Sequence, residues 1–257
     1  TCCVRDHAEK RVFGNIGALR EIKEARPGCI IAVCGCMMQQ RETAKRLYKR
    51  FPYVDMVFGT NLLSRLPSFL LEARQGNRVF AVEKDNIRIE DALPASRGGG
   101  MNAFVNINYG CNNYCTYCIV PYVRGPERSR RPKAILDEVR SLVEGGYSEI
   151  TLLGQNVNSY GNDLDGCDFS SLLAQVSAVE GLERIRFMTS HPKDLSDRLI
   201  DAIASLPNVC HHVHLPMQSG SDRVLKRMNR RYTREDYLRI VDRLHAAMAD
   251  VELTTDI

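Results

Sequence analysis

The segment AFVNINYGCNNYCTYC (residues 103–118) joins a short apolar stretch directly to three closely spaced cysteines. Residues 103–108 combine apolar side chains with alternating asparagines, which predicts a β-strand. Further strands are predicted at residues 149–153, 184–188, 210–215 and 251–257. Helices are predicted between them at residues 133–144, 169–179, 195–206, 221–228 and 234–248. Such alternation builds a parallel sheet whose active site lies in the loops after the strands, and the cysteines occupy the first of these loops.

The part of the chain before this segment shows the same alternation on a smaller scale. Helices are predicted at residues 7–25, 42–50 and 61–75, and strands at residues 29–34 and 54–58. Residues 86–100 are charged or small and end in three glycines, a composition typical of a linker. We therefore predict an α/β protein with a small N-terminal α/β layer domain (1–85), a linker (86–100) and a partial barrel (101–257).

Composition narrows the class of protein. The 257 residues carry a net charge of +4 and ten cysteines, and no apolar run approaches 18 residues. Disulfide frameworks belong to small secreted chains, so thiols in a reducing cytoplasm, some of them bound to metal, fit this longer chain better. The chain begins at Thr1 rather than Met and ends within an apolar run, and we expect a fragment trimmed at both ends.

The spacing of Cys111, Cys115 and Cys118 indicates an iron–sulfur cluster. A structural zinc site or a ferredoxin cluster normally takes four protein ligands, whereas three thiolates leave one metal position open to a small molecule. This Cx3CxxC spacing, with an aromatic residue before the last cysteine, resembles that of the radical S-adenosylmethionine (SAM) enzymes. The resemblance implies a 4Fe–4S cluster that binds SAM and cleaves it to a 5′-deoxyadenosyl radical.

Within that superfamily the whole chain resembles the methylthiotransferases. TCCVRDHAEKRV (1–12) and GCMMQ (35–39) are similar to the stretches that carry two of the three ligands of a second, auxiliary 4Fe–4S cluster. The resemblance assigns those ligands to Cys2 and Cys36 and places the third ligand before Thr1. The implied cofactors are two 4Fe–4S clusters and SAM.

Four segments of the predicted barrel resemble the tRNA-modifying branch of this family. They are CTYCIVPYVRGPERSR (115–130), LLGQNVNSYG (152–161), TSHPKDL (189–195) and HLPMQSGSDRVLKRMNRRYT (214–233). The resemblance implies transfer of a methylthio group to carbon 2 of N(6)-dimethylallyladenosine next to the anticodon of tRNA. It also implies two partners, the tRNA anticodon stem-loop and an external electron donor of flavodoxin or ferredoxin type.

Polar residues at the predicted strand ends are the candidates for SAM binding. Gln155 and Asn156 follow the second strand of the barrel, Ser190 follows the third, and Gln218 lies in a Gly- and Ser-rich loop after the fourth. The position of Gln155 and Asn156 matches the place where radical SAM enzymes hold the amino group of SAM. Amides at such positions also cap turns, and that reading stays open.

Two runs of basic residues are candidates for contact with RNA phosphates. They comprise Arg124, Arg128, Arg130, Arg131 and Lys133, and then Lys226, Arg227, Arg230, Arg231 and Arg234. A solvated surface is the alternative reading of any such run, and mildly basic enzymes without an RNA partner are common.

Other functions remain open at this level. Within the family, the acceptor is alternatively an aspartate of a ribosomal protein or threonylcarbamoyl-adenosine in tRNA. Outside it, the cysteines suit an electron-transfer iron–sulfur protein or a zinc-stabilised RNA-binding module.

Overall fold

The computed structural model describes Thr1, residues 6–83 and residues 98–257. Cys2, Cys3 and most of the predicted linker lie outside the described residues. The chain divides into two compact units, Thr1–Leu93 with Cys118–Gly125, and Pro94–Tyr117 with Pro126–Ile257. The predicted domain boundaries stay a prediction. No helix among the described residues is long and apolar enough to cross a membrane.

The first unit is a parallel sheet flanked by helices. Its described helices are α1 (Asp6–Ala25), α2 (Arg41–Arg50), α3 (Leu66–Arg74) and α4 (Val120–Arg124). Its described strands are β1 (Ala32–Cys34), β2 (Met56–Phe58) and β3 (Val79–Ala81), which pair in parallel in the order β1-β2-β3. Ile16 of α1 and Leu47 of α2 are buried with Val33 and Val57 in one cluster, because helical spacing brings the apolar side chains onto the face that meets the sheet.

The second unit also alternates strands and helices along the chain. Its described strands are β4 (Asn102–Asn106), β5 (Asn108–Tyr109), β6 (Arg128–Ser129), β7 (Glu149–Leu153), β8 (Arg184–Met188), β9 (His212–His214) and β10 (Glu252–Thr254). Its described helices are α5 (Pro132–Glu144), α6 (Phe169–Ser177), α7 (Asp197–Ser205), α8 (Asp222–Arg227) and α9 (Arg234–Ala247). Strands β4, β7 and β8 form one parallel sheet, β9 and β10 form another, and a parallel bridge from Ile185 to Val209 connects the two.

The core of the second unit lies between its strands and helices. Ala103 and Val105 of β4 are buried while their neighbours along the strand are exposed, so one face of this strand meets the helices. Ile135, Val139 and Leu142 are buried on one side of α5 and belong to the same cluster. Burying each such side chain contributes about 1.5 to 3 kcal/mol. The predicted α/β class with a partial barrel is confirmed.

Two predicted elements are divided in the structure. The strand predicted at residues 103–108 ends at Asn106, and β5 then pairs antiparallel with β6 to close the base of the cysteine loop. The helix predicted at residues 61–75 is a 3-10 turn (Thr60–Arg65) followed by α3, with Leu62 at non-helical angles and a proline in the first turn of α3. The proline has no N–H to donate, so it is accommodated where a helix begins.

Candidate active site

The cysteine loop leaves β5 and returns at β6. Gly110, directly after the strand, and Tyr114, within the loop, take positive φ values of 74° and 48°, a conformation typical of turns. The Asn112 side-chain carbonyl accepts a hydrogen bond from the Glu127 N–H at 3.1 Å across the loop. Local backbone geometry and the antiparallel pairing of β5 with β6 thus hold the cysteine loop at the carboxyl end of β4.

The three cysteines of this loop differ in their surroundings. Cys111 and Cys115 are buried, whereas Cys118 is half-buried and begins the segment that belongs to the first unit. In the described parts of the chain, no three His, Cys, Asp or Glu side chains stand close enough together to hold a metal ion. The assignment of Cys111, Cys115 and Cys118 as ligands stays a prediction.

The chemistry of the loop fits an iron–sulfur cluster. The Arg230 guanidinium, itself only 5% exposed, lies 3.5 Å from Cys115 Sγ. Thiolates bound to iron carry negative charge, and a buried guanidinium is a suitable counter-charge and hydrogen-bond donor for them.

Polar residues collect where β7 and β8 end. Asn156 is 2% exposed and donates to an Asp194 carboxylate oxygen at 2.7 Å, while its own Oδ1 accepts nothing from the described residues. Ser190 Oγ and His191 Nε2 are likewise buried without a partner in the described chain. Since buried polar atoms are normally hydrogen-bonded, these three atoms beyond the ends of β7 and β8 are candidates for contact with a ligand.

Two titratable groups in this region have displaced pKa values. Burial raises the pKa of Glu127 to about 7; the nearby Ser159 opposes the shift, and the Asp194 and Asp163 carboxylates add to it. Burial lowers the pKa of His191 to about 3, and the positive charges of Arg230 and Lys193 contribute. At neutral pH the imidazole is therefore uncharged, and Glu127 is divided between its two protonation states.

Sequence reasoning missed Glu127 and Asp194 as members of this cluster. Both lie inside segments that carry the family resemblance, GPER and HPKD, but neither follows a strand directly. Their contribution depends on contacts between loops, which sequence spacing does not report. Gln155 and Gln218 are half-buried, and Gln218 has a φ of 65° with its N–H donating to the Asp256 carbonyl at 2.9 Å. SAM contacts from Gln155, Asn156, Ser190 and Gln218 stay predictions.

Cys36 opens a 3-10 turn (Cys36–Gln39) in the first unit and is half-buried. The Thr1 nitrogen donates to the Cys34 carbonyl at 2.8 Å, so the residue before Cys2 lies close to Gly35 and Cys36. A Cβ on Gly35 would come within 2.4 Å of the Thr1 nitrogen, and the φ of 125° also favours glycine. Cys2, the other predicted ligand of the auxiliary cluster, lies outside the described residues.

The two basic runs are only partly on the surface. Arg130 and Arg230 are buried, and Arg130 pairs with Glu138 at 2.7 Å, so the candidates for phosphate contact are the other members of the runs. The other members are exposed or half-buried, and the exposed ones are Arg131, Lys133, Lys226, Arg227, Arg231 and Arg234.

Comparison with known families decides the class of this site. The model of the "Radical SAM superfamily" matches residues 105–257, which include the cysteine loop and the strand-end cluster. The chain belongs to the radical SAM superfamily. Membership implies SAM and one 4Fe–4S cluster as cofactors. Residues 1–59 match a second model, described as "Uncharacterized protein family UPF0004".

Three curated relatives of this radical SAM chain are each named tRNA-2-methylthio-N(6)-dimethylallyladenosine synthase. The relative from Caldicellulosiruptor saccharolyticus is 56% identical over the whole chain, which covers 55% of that protein. Those from Clostridium tetani and Thermoanaerobacter pseudethanolicus are 52% and 51% identical, again over the whole chain, which covers 57% and 55% of them. The resemblance to the methylthiotransferases is confirmed, and the chain spans about half the length of the curated relatives it matches.

Solved radical SAM enzymes share the fold. The methyltransferase TsrM from Kitasatospora setae, with tryptophan and a SAM analogue bound, matches with a TM-score of 0.65 and 15% identity over 96% of this chain and 52% of that one. The cobalamin-dependent enzyme OxsB, with SAM bound, matches with a TM-score of 0.63 and 14% identity over 96% of this chain and 38% of that one. At this identity the likeness concerns the fold alone.

Proposed function

We propose that this chain carries the radical SAM centre of a methylthiotransferase that modifies carbon 2 of N(6)-dimethylallyladenosine in tRNA, beside the anticodon. The Cys111, Cys115 and Cys118 loop at the carboxyl end of β4 carries the proposal, because it supplies three thiols and no fourth. The 56% identity to a synthase with this substrate in its name supports the choice of acceptor.

The residues of the loop and of the strand-end cluster have distinct roles in this proposal. Cys111, Cys115 and Cys118 hold the cluster. When bound there, the 4Fe–4S cluster supplies the electron that cleaves SAM. One oxygen each of Asn156 and Glu127 has no partner among the described residues, and both are hydrogen-bond acceptors suited to the ammonium group of SAM. Burial of the site keeps water from the reactive radical.

An auxiliary cluster at Cys2 and Cys36 is part of the proposal. Support comes from the close approach of Thr1 to Gly35, which brings the neighbours of both cysteines together. Two cysteines leave an iron–sulfur cluster short of protein ligands, and the family pattern provides a third ligand upstream of Thr1.

The proposed partners follow from the same reaction. A tRNA anticodon stem-loop presents the unpaired adenine, and exposed cations such as Lys226 and Arg227 are suited to its phosphates. Reduction of the cluster requires an external electron donor of flavodoxin or ferredoxin type. Both partners place the reaction in the cytoplasm.

The first experiment counts iron and acid-labile sulfide per chain after anaerobic reconstitution. The triple variant Cys111→Ala, Cys115→Ala, Cys118→Ala is expected to lose about four irons, and the iron that remains reports the auxiliary site. The matched control changes Cys29, Cys167 and Cys210 to alanine and should keep all the iron. Zinc in place of iron, or equal iron in both variants, would contradict the proposal.

The second experiment identifies the acceptor. The reconstituted chain is incubated with SAM, a low-potential reductant and tRNA that carries N(6)-dimethylallyladenosine, and the nucleosides are analysed by mass spectrometry. The expected product gains a methylthio group on the adenine, and only if the three cysteines are intact. The assignment would be contradicted if this adenine gained no methylthio group while threonylcarbamoyl-adenosine or a ribosomal protein aspartate did.

A further inference from the structure

The end of α8 and the turn that follows it form several hydrogen bonds with the cysteine loop, within the second unit. The Thr116 N–H donates to the Met228 carbonyl at 3.1 Å, and the Thr116 hydroxyl donates to the Arg227 carbonyl at 3.2 Å. These bonds join residues more than 110 positions apart in the chain. The backbone between Cys115 and Cys118 is thus attached to a distant turn.

Asn229 adds two further bonds. Its side-chain amide donates to the carbonyls of Asn113 and Tyr114 at 3.1 and 2.9 Å, directly before Cys115. Asn229 has a φ of 57°, a conformation that asparagine tolerates better than most residues with a Cβ. This backbone geometry directs the amide towards the loop.

Arg230 places a positive charge against the loop. Its Nη1 is 3.5 Å from Cys115 Sγ and 3.4 Å from the Tyr117 hydroxyl, and its Nη2 donates to the Pro216 carbonyl at 3.1 Å. The side chain is 5% exposed, and among the described residues no carboxylate pairs with it. A buried charge without a counter-charge destabilises the fold, so we expect an anion to bind beside Arg230.

We infer that Asn229 and Arg230 are positioning residues for the cysteine loop and that Arg230 raises the reduction potential of the cluster bound there. This inference rests on the cluster of the proposed function. Accepting one electron makes a thiolate-bound cluster more negative, so a guanidinium beside Cys115 stabilises the reduced state relative to the oxidised state. Neutralising the charge should make the cluster harder to reduce.

Three variants test the charge. In Arg230→Gln we expect the ratio of reduced to oxidised cluster, at the wild-type midpoint potential, to fall about tenfold, which is 59 mV for a one-electron couple. Arg230→Lys keeps the charge and should stay close to the wild type. Arg223→Gln removes an exposed charge from α8 and is the matched control. The measurement is a redox titration followed by the electron paramagnetic resonance signal of the reduced cluster.

The Asn229→Asp variant tests whether Asn229 positions the cysteine loop when no cluster is bound. The carboxylate keeps the size and backbone preference of asparagine but loses both donors to the Asn113 and Tyr114 carbonyls. In the iron-free chain, the Thr116 amide should exchange with deuterium several-fold faster, while the amides of α6 serve as the internal control.

The outcomes separate this inference from the proposed function. A wild-type chain that binds no iron at the three cysteines refutes the proposed function. A wild-type chain that binds iron, with Arg230→Gln at the same potential as Arg223→Gln, refutes the electrostatic role alone. If Arg230→Gln fails to retain iron while Arg230→Lys retains it, the positive charge is required to hold the cluster. If both variants lose the iron, Arg230 has only a structural role and the electrostatic role is refuted.

Discussion

Folding raises the pKa of Glu127 far enough for its effect on stability to be measured. Its carboxyl is partly buried near Asp194 and Asp163, and its pKa rises to about 7 from an ordinary value of 4.5. In the unfolded chain the proton leaves near pH 4.5, whereas in the folded chain it stays until about pH 7. Between these values the unfolded state binds fewer protons, so the stability falls as the pH rises.

The first prediction concerns Glu127→Gln. The shift corresponds to at most about 3 kcal/mol, and solvent screening at a partly exposed carboxyl reduces this to about 1 to 2 kcal/mol. The variant should gain that amount in free energy of unfolding at pH 8 and nothing at pH 4.5. Urea denaturation at both pH values measures it, with the exposed Glu144→Gln as control. A variant that is less stable than the wild type at pH 8 would contradict the raised pKa.

At the scale of elements, the residues that follow β7 pack tightly against Asn108 of β5, which pairs with β6. The Asn108 amide donates to the Asn156 carbonyl at 2.8 Å in the buried interior. A Cβ on Gly154 would lie 1.9 Å from Asn108 Oδ1, so only glycine allows this side chain to cross the end of the strand. The glycine thereby supports Asn156 and the base of the cysteine loop together.

The second prediction is that Gly154→Ala destabilises the protein by about 1 to 3 kcal/mol, the usual cost of forcing an extra group into a packed interior. The added methyl group displaces Asn108 and breaks its bond to Asn156. Thermal or urea unfolding measures the loss, and Gly220→Ala, where a Cβ meets no atom within 4 Å, is the control. Equal stability of the two variants would show that Asn108 moves aside without cost.

At the scale of the whole molecule, the distribution of charge separates structural cations from exposed ones. Arg130 and Arg230 are buried and bonded within the second unit, while Lys226 and Arg227 on α8 face solvent. Only exposed cations can release counterions from an RNA backbone, and each phosphate contact adds to the salt dependence of binding. The net charge of +4 is modest, so the local arrangement matters more than the total.

The third prediction is that Lys226→Gln with Arg227→Gln weakens tRNA binding and lowers its salt dependence. The slope of log affinity against log salt should decrease by about 1 to 2, as expected for loss of two phosphate contacts. Binding is measured at several salt concentrations. The control pair Lys10→Gln with Arg11→Gln removes equal charge from α1; an equal effect of both pairs would mean that net charge alone is responsible.

Much of this architecture was predictable from local patterns. The strands at residues 149–153 and 184–188 have the predicted bounds, because a largely apolar run (149–153) and an alternation of charged and apolar residues (184–187) are local patterns of a strand. The resemblance to radical SAM enzymes rests on the three cysteines, whose spacing is a local property of one loop. Chemistry carried by a contiguous motif can therefore be predicted before the fold is known.

Other features depended on the tertiary structure. Arg230 belongs to a basic run typical of a solvated surface, yet folding buries it beside a cysteine 115 positions earlier. The raised pKa of Glu127 and the burial of an Asn156 oxygen that has no partner in the described part of the chain likewise arise from contacts between loops that follow different strands. By itself, the sequence determined the alternation of the main strands and helices, and it predicts the metal-binding chemistry of the loop. Only the tertiary structure decided which charges are buried and what they face, because burial is set by packing between distant segments and not by local spacing.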